Sequence, residues 1–173
     1  MNPSIVIADE PTTALDVTIQ AQILDLMIRL QRRYGLSMIY ISHDLAVIAE
    51  IAHRVHVMYA GHMVEKGDVV SIYKHPIHPY TKGLIASVPT IQKIKEKRLI
   101  SIPGAPPDLR NPPKGCPFWP RCPFAKDICK REFPPEVEID GVWVLCHFAR
   151  EVADIPPDEA WEKVFERYEA GQR

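Results

Sequence analysis

Residues 4–8 form an unbroken apolar run rich in β-branched side chains, the pattern of a strand covered on both faces, as in a parallel sheet. Asp9 and Glu10 end it. From Asp16 onward, Ile19, Ile23, Met27 and Leu30 recur at helical spacing and predict an amphipathic helix to Tyr34, with Asp16 as N-cap and Gly35 as its stop. A second buried strand is predicted over 36–41, ending at Ser42-His43-Asp44. A short helix over 45–52 then leads to a third strand over 54–58, and Ala60-Gly61 turns the chain into 62–65 as a hairpin. This alternation predicts an α/β fold, doubly wound about a parallel sheet.

Beyond Gly67 the pattern changes. Short helices are predicted over 68–74 and 80–87, around a Pro- and His-rich connection. The stretch 101–114, with Pro103, Pro106, Pro107, Pro112 and Pro113, is predicted as extended coil. Over 158–170, Trp161, Val164, Phe165 and Tyr168 lie at helical spacing. Two parts follow, 1–67 and 68–173. The 173 residues are 46% apolar and 25% charged, the balance of a soluble globular chain. A net charge of -1 gives no broad attraction to phosphate backbones, which argues against nucleic acid as the partner. No apolar run approaches the roughly 20 residues needed to cross a bilayer. Met1-Asn2-Pro3-Ser4 opens no signal peptide, and a cytoplasmic location is expected.

In open α/β sheets, ligands bind outside the carboxyl ends of the strands, which is where Asp9 and Glu10 fall. Consecutive strand residues face opposite ways, so two adjacent acids suit two tasks of a Mg²⁺-triphosphate site: holding the metal's hydration shell and activating water. The run Ile5-Val6-Ile7-Ala8-Asp9-Glu10-Pro11-Thr12-Thr13-Ala14-Leu15-Asp16 resembles the Walker B strand, catalytic glutamate and D-loop of ABC ATPases, and Ile41-Ser42-His43-Asp44 resembles their switch histidine. The resemblance implies the C-terminal half of a P-loop ABC ATPase core. It implies that Asp9 engages Mg²⁺ through water, Glu10 is general base, Asp16 communicates across a dimer interface and His43 contacts the γ-phosphate. The chain contains no G-x-x-x-x-G-K-[ST] loop and no Leu-Ser-Gly-Gly-type signature, so it is expected not to bind or hydrolyse ATP well alone. With Met1 almost directly before the Walker B strand, a truncated reading frame, a split gene or an expression fragment is expected.

His75-Pro76-Ile77-His78-Pro79-Tyr80 resembles the His-Pro-Tyr segment that follows the ATPase core in oligopeptide, dipeptide and nickel importers. Read from the residues alone, it is a rigid connector: each proline holds its preceding histidine out of the helical region, and Pro79 suits a first helical turn. Cys116, Cys122, Cys129 and Cys146 follow as C-x5-C-x6-C-x16-C, leaving no cysteine over. A reducing cytosol disfavours disulfides. Zinc is the commonest four-cysteine ion, but no closely spaced pair begins the set, whereas an iron–sulfur cluster accepts wider spacing. The segment 115–125 with Cys129 and Cys146-His147 resembles the C-terminal cysteine motif of peptide-importer ATPases, which implies a [4Fe-4S] cluster, with Zn²⁺ or free or oxidised thiols as alternatives. Pro117, Phe118, Trp119 and Pro123 would shield such a centre, and Arg121 would offset its charge.

Taken together, the resemblance implies an ATP- and Mg²⁺-using subunit of an ABC importer of oligopeptides or dipeptides, peripheral on the inner face of the cell membrane. The implied partners are a second, homologous ATPase subunit, two membrane permease subunits and, indirectly, an extracytoplasmic peptide-binding protein. Two rival readings are a DNA-repair-type ABC ATPase and a metal-binding interaction module with a vestigial ATPase half.

Overall fold

The structure, a computed structural model, describes residues 3–89 and 101–162. Their contacts divide the chain into two units, Met1–His53 and Arg54–Arg173.

The first unit is a β–α–β arrangement. Strand β1 (Ile5–Asp9) pairs in parallel with β2 (Ser37–Ile41), from Ile5 opposite Ser37 to Asp9 opposite Ile41, with helix α1 (Val17–Tyr34) between them in sequence. The Asp16 carboxylate accepts the Ile19 N–H at 3.0 Å and so starts α1, and Gly35 closes it in a left-handed conformation. The Asp44 carboxylate starts α2 (Leu45–Ile51) by accepting from the Ala46 and Val47 N–H groups.

Strand faces expected to be covered are open here: Ile5, Ile7, Ile39 and Ile41 are 46–66% exposed. The predicted stripe of α1 is likewise only partly inward. Leu24 is its buried residue, Ile23 and Met27 are half-buried, and Ile19 and Leu30 are exposed. Helix and strands carry more apolar surface than this unit's own elements cover.

In the second unit β3 (Arg54–Tyr59), β4 (His62–Asp68), β5 (Glu136–Ile139) and β6 (Val142–Leu145) form an antiparallel sheet in the order β3-β4-β6-β5. The third predicted strand therefore does not continue the parallel sheet. The Ala60-Gly61 turn, with φ of 49° and 81°, folds β3 back on β4, as the hairpin signal predicted. An equivalent turn at Asp140-Gly141 joins β5 to β6, a hairpin beyond the predicted elements. Val57 pairs with Glu65 but Met58 with Met63, so Val64 is an extra residue in β4. This bulge lets the consecutive Val64 and Glu65 both be buried, 2% and 1% exposed.

Asp68 caps α3 (Val69–Lys74), and Pro79 opens α4 (Pro79–Ser87) as expected. The Pro-rich stretch from 101 is coil; a 3₁₀ turn (Trp119–Arg121), α5 (Asp127–Arg131) and α6 (Ala149–Val152) follow, and residues 157–162 are helical. Val164, Phe165 and Tyr168 of the predicted terminal stripe lie outside the described residues. Its first member, Trp161, is fully buried and donates to the Pro79 carbonyl at 3.1 Å.

Phe118 is the hub of this core, its ring 5.0 Å from Tyr59, 5.4 Å from Tyr80, 5.8 Å from His78 and 6.3 Å from Trp161. A buried ring of that size contributes about 1.5–3 kcal/mol. Arg121 straps the coil to this hub: its guanidinium donates to the Pro103 and Ile102 carbonyls and to the Tyr59 hydroxyl, and it lies over the Tyr59 and Phe118 rings.

Candidate functional sites

In the first unit the two strands end level, so Asp9 and Glu10 lie beside Ser42 and His43. The Glu10 N–H donates to the Ile41 carbonyl at 2.9 Å, extending the pairing one residue beyond β1. Glu10 then enters a left-handed conformation (φ 45°), unfavourable for a residue with a Cβ. The turn closes with the Thr13 N–H on the Glu10 carbonyl. The Glu10 carboxylate is held on both sides: His43 Nδ1 lies 2.8 Å from Oε1, and the Thr13 hydroxyl donates to Oε2 at 2.7 Å.

His43 and Thr13 both pull the Glu10 pKa below the ordinary carboxylate value, His43 the more strongly. The hydrogen bond to Glu10, then its charge, raises the His43 pKa. Glu10 and His43 thus meet across 33 residues in an exposed, oriented acid–base pair. Asp9 closes β1 and is exposed, and the Asp16 carboxylate is engaged as a helix cap. The arrangement suits a carboxylate that accepts a proton from water while a histidine fixes its orientation.

In the second unit Cys116, Cys122, Cys129 and Cys146 all line one cavity, together with His78, Pro79, Phe118, Trp119, Phe124, His147 and Phe148. Convergence extends that far: among the described residues, no three His, Cys, Asp or Glu side chains are placed to hold a single metal ion. A local motif recurs three times, as Cys116-Pro117-Phe118, Cys122-Pro123-Phe124 and Cys146-His147-Phe148. In each, the phenylalanine N–H turns back to the cysteine sulfur, at 3.4 Å for Phe148 on Cys146, and the ring helps to wall the cavity. Such donors favour the thiolate.

Burial outweighs them: it pushes Cys146 up to about 11 and raises Cys116 and Cys122 as well, with neighbouring thiols adding to the rise. Burial thus favours the neutral thiols over the thiolates. Gly115 is needed for close approach: a Cβ there would stand 2.2 Å from the Cys129 carbonyl, to which the Cys116 N–H donates at 2.8 Å. Arg121 does not face the cavity as expected; its N–H groups are used on Pro103, Ile102 and Tyr59.

Next to the cavity lies a latch that reading the sequence missed. Glu65, aimed inward by the bulge, accepts the Ile77 N–H at 2.6 Å and the His78 N–H at 3.1 Å. Burial pushes its pKa up to about 7, against the opposing pull of Thr81, of the two N–H donors and of Lys82. The Thr81 hydroxyl lends its pull without reaching hydrogen-bond geometry. Lys82 is 1% exposed and caps the Ala153 and Ile155 carbonyls at 3.2 and 2.6 Å. Within the rigid connector His78 is buried: it is 2% exposed, and its Nδ1 accepts the Tyr80 N–H at 3.0 Å. Burial drives its pKa down to about 3, so the ring is neutral. The signal that could have found this latch is a glutamate directly after the apolar Met63-Val64 pair, ahead of a histidine bracketed by prolines.

A family model described as the C-terminal region of oligopeptide/dipeptide transporters matches residues 64–129, the stretch that holds the latch and three of the cysteines. The chain is 49% identical over 168 residues to the oligopeptide transport ATP-binding protein OppD of Bacillus subtilis, covering 94% of this chain and 46% of that protein. To the dipeptide transport ATP-binding protein DppD of Lactococcus lactis it is 54% identical over 149 residues, 86% of this chain and 41% of the relative. To DppD of Escherichia coli it is 47% identical over 155 residues, 89% and 47% respectively. The chain spans less than half the length of these relatives. It belongs to the oligopeptide/dipeptide transport ATP-binding family and contains the C-terminal region that marks that family.

Proposed function

We propose that the chain forms the catalytic-carboxylate portion of an ATP-hydrolysing subunit that powers uptake of oligopeptides or dipeptides by an ABC importer. The Glu10–His43 pair at the carboxyl ends of two parallel strands carries this reading, and the relatives' names supply the transport context. No relative named above is a DNA-repair protein, and no helix among the described residues is long and apolar enough to cross a membrane. The subunit works peripherally at the inner face of the membrane, against a second homologous ATPase subunit and two permease subunits, with an extracytoplasmic peptide-binding protein acting indirectly.

Asp9 engages Mg²⁺ through water. Glu10 takes the proton of the water that attacks the γ-phosphate, with Thr13 and His43 holding its carboxylate in place and His43 also meeting the phosphate. Asp16 stands on the D-loop toward the second subunit. In the full-length subunit, Glu10→Gln keeps ATP binding and lowers turnover at least a hundredfold. Turnover at the parental rate in that variant would show Glu10 to be misassigned.

The four cysteines hold a [4Fe-4S] cluster. Cavity, N–H donors and phenylalanine walls fit thiolates that need a cationic centre, and an iron–sulfur core takes ligands set wider than a lone Zn²⁺ does. When bound, the cluster cross-links segments far apart in sequence. Anaerobically purified chain is expected to be brown. Replacing any one of Cys116, Cys122, Cys129 or Cys146 with Ser bleaches it. Colourless protein with one zinc per chain would establish Zn²⁺ instead.

A further inference from the structure

The turn that carries Glu10 is left-handed at both ends, at Glu10 (φ 45°) and at Ala14 (φ 64°), and neither residue is a glycine. Such backbone is unfavourable for residues with a Cβ and persists only where its surroundings hold it. The turn's own bonds, from the Thr13 N–H to the Glu10 carbonyl at 3.1 Å and from the Leu15 N–H to the Thr12 carbonyl at 3.3 Å, close it on itself and would survive if it swung as a unit. Thr12 ties it to the sheet. Its hydroxyl lies 3.1 Å from that of Tyr40, and the residue is 7% exposed. Tyr40 stands opposite Ala8, one residue before the end of β2, while Glu10 directly follows β1. The paired hydroxyls therefore bridge from β2 to the turn at the residue next to Thr13, whose own hydroxyl holds Glu10 Oε2 at 2.7 Å.

We infer that Tyr40 and Thr12 are positioning residues: their hydroxyl pair pins the turn in the conformation from which Thr13 and His43 grip the Glu10 carboxylate. Thr12 acts through its neighbour Thr13, and Tyr40 acts through Thr12, so neither is a catalytic residue. Without the pin the turn is free to relax toward ordinary right-handed backbone at Glu10, and a change of φ there re-aims the side chain away from His43. Resting on the proposed reading of Glu10 as the base, the pin sets the carboxylate before any substrate arrives.

The test uses the full chain and reads the tautomer of His43. Facing the Glu10 carboxylate, Nδ1 must donate, whereas a free neutral imidazole favours the hydrogen on Nε2. In protein labelled with nitrogen-15 histidine, at a pH where the ring is neutral, long-range proton–nitrogen NMR spectra should show His43, assigned through His43→Gln, mainly as the Nδ1–H form. Tyr40→Phe keeps the ring and removes the hydroxyl, and Thr12→Val does the same at nearly constant shape. Each should lower the ratio of Nδ1–H to Nε2–H about tenfold, the bias that a hydrogen bond to a charged group supplies. The double variant should fall no further than either single one, and Thr12→Ser should keep the wild-type ratio. Protection of α1 amides from hydrogen exchange shows that the unit itself is intact. A wild-type ring without the Nδ1–H preference, an unchanged ratio in folded Tyr40→Phe, or falls that add in the double variant overturn the inference. Should one single variant lose its α1 protection, the other decides alone, and loss in both overturns the inference in favour of a merely structural bond. Parental turnover in full-length Glu10→Gln sinks the catalytic reading instead, and the tautomer ratios stand apart from it.

Discussion

Glu65 is a carboxylate in a position where a valine would be unremarkable. Its two N–H acceptor bonds favour the charged form, burial favours the neutral one, and burial prevails: the pKa rises from 4.5 to about 7. A group whose pKa is raised on folding contributes its stability fully below the unfolded value and loses it as pH climbs through the folded value. Between pH 4.5 and about 7, this group should therefore remove roughly 3 kcal/mol from the second unit. Trp119, Trp143 and Trp161, the three tryptophans, all lie after residue 54, so tryptophan fluorescence reports unfolding of that unit. Denaturant midpoints of metal-free wild type and Glu65→Gln, measured at intervals from pH 4.5 to 8, should diverge by this amount. Parallel curves would mean that Glu65 does not titrate in this range.

At the scale of elements, what was legible is what one stretch of sequence specifies alone. Asp16 and Gly35 bracket α1, Pro79 opens α4, and Ala60-Gly61 makes a hairpin, because caps and turns are local chemistry. The sequence placed Glu10 and His43 at two strand ends, but their hydrogen bond shows only in the fold, where the strands end level. What was not legible depends on registers that only folding sets. The bulge at Val64 is one extra residue in a strand, and it decides that Glu65 points inward. The β5–β6 hairpin carried its signal in Asp140-Gly141 between alternating Val137, Ile139, Val142 and Val144, but so short a run competes poorly with the prolines around it. That hairpin also orders the cysteine segment by packing: Val142 and Val144 are 3% and 1% exposed, and β6 pairs with β4. The tautomer of His78 was beyond reach from residues alone, since it is fixed by a bond to its own helix.

The whole molecule consists of two units of unequal self-sufficiency. The first has a two-stranded sheet with open apolar faces; Ala8, Leu24 and Val47 are its buried hydrophobic residues. Two strands seldom persist without further cover. The second builds four strands around Phe118, Val144 and fully buried Trp161. Hydrogen exchange followed by mass spectrometry should therefore show β1 and β2 amides exchanging at least a hundredfold faster than those of β4 and β6. Loading with iron and sulfide should slow exchange after residue 54 and leave the strands before it unchanged. Equal protection in both units would contradict this division. Within the second unit, β6 lies between β4 and β5 and hands Cys146 to the cavity from the strand's far end. On the ribosome, Cys116, Cys122 and Cys129 emerge well before that strand exists. A chain halted at residue 140 would carry three thiols and no closing strand, so on the proposed iron–sulfur reading an occupied centre would certify that synthesis has passed the last cysteine.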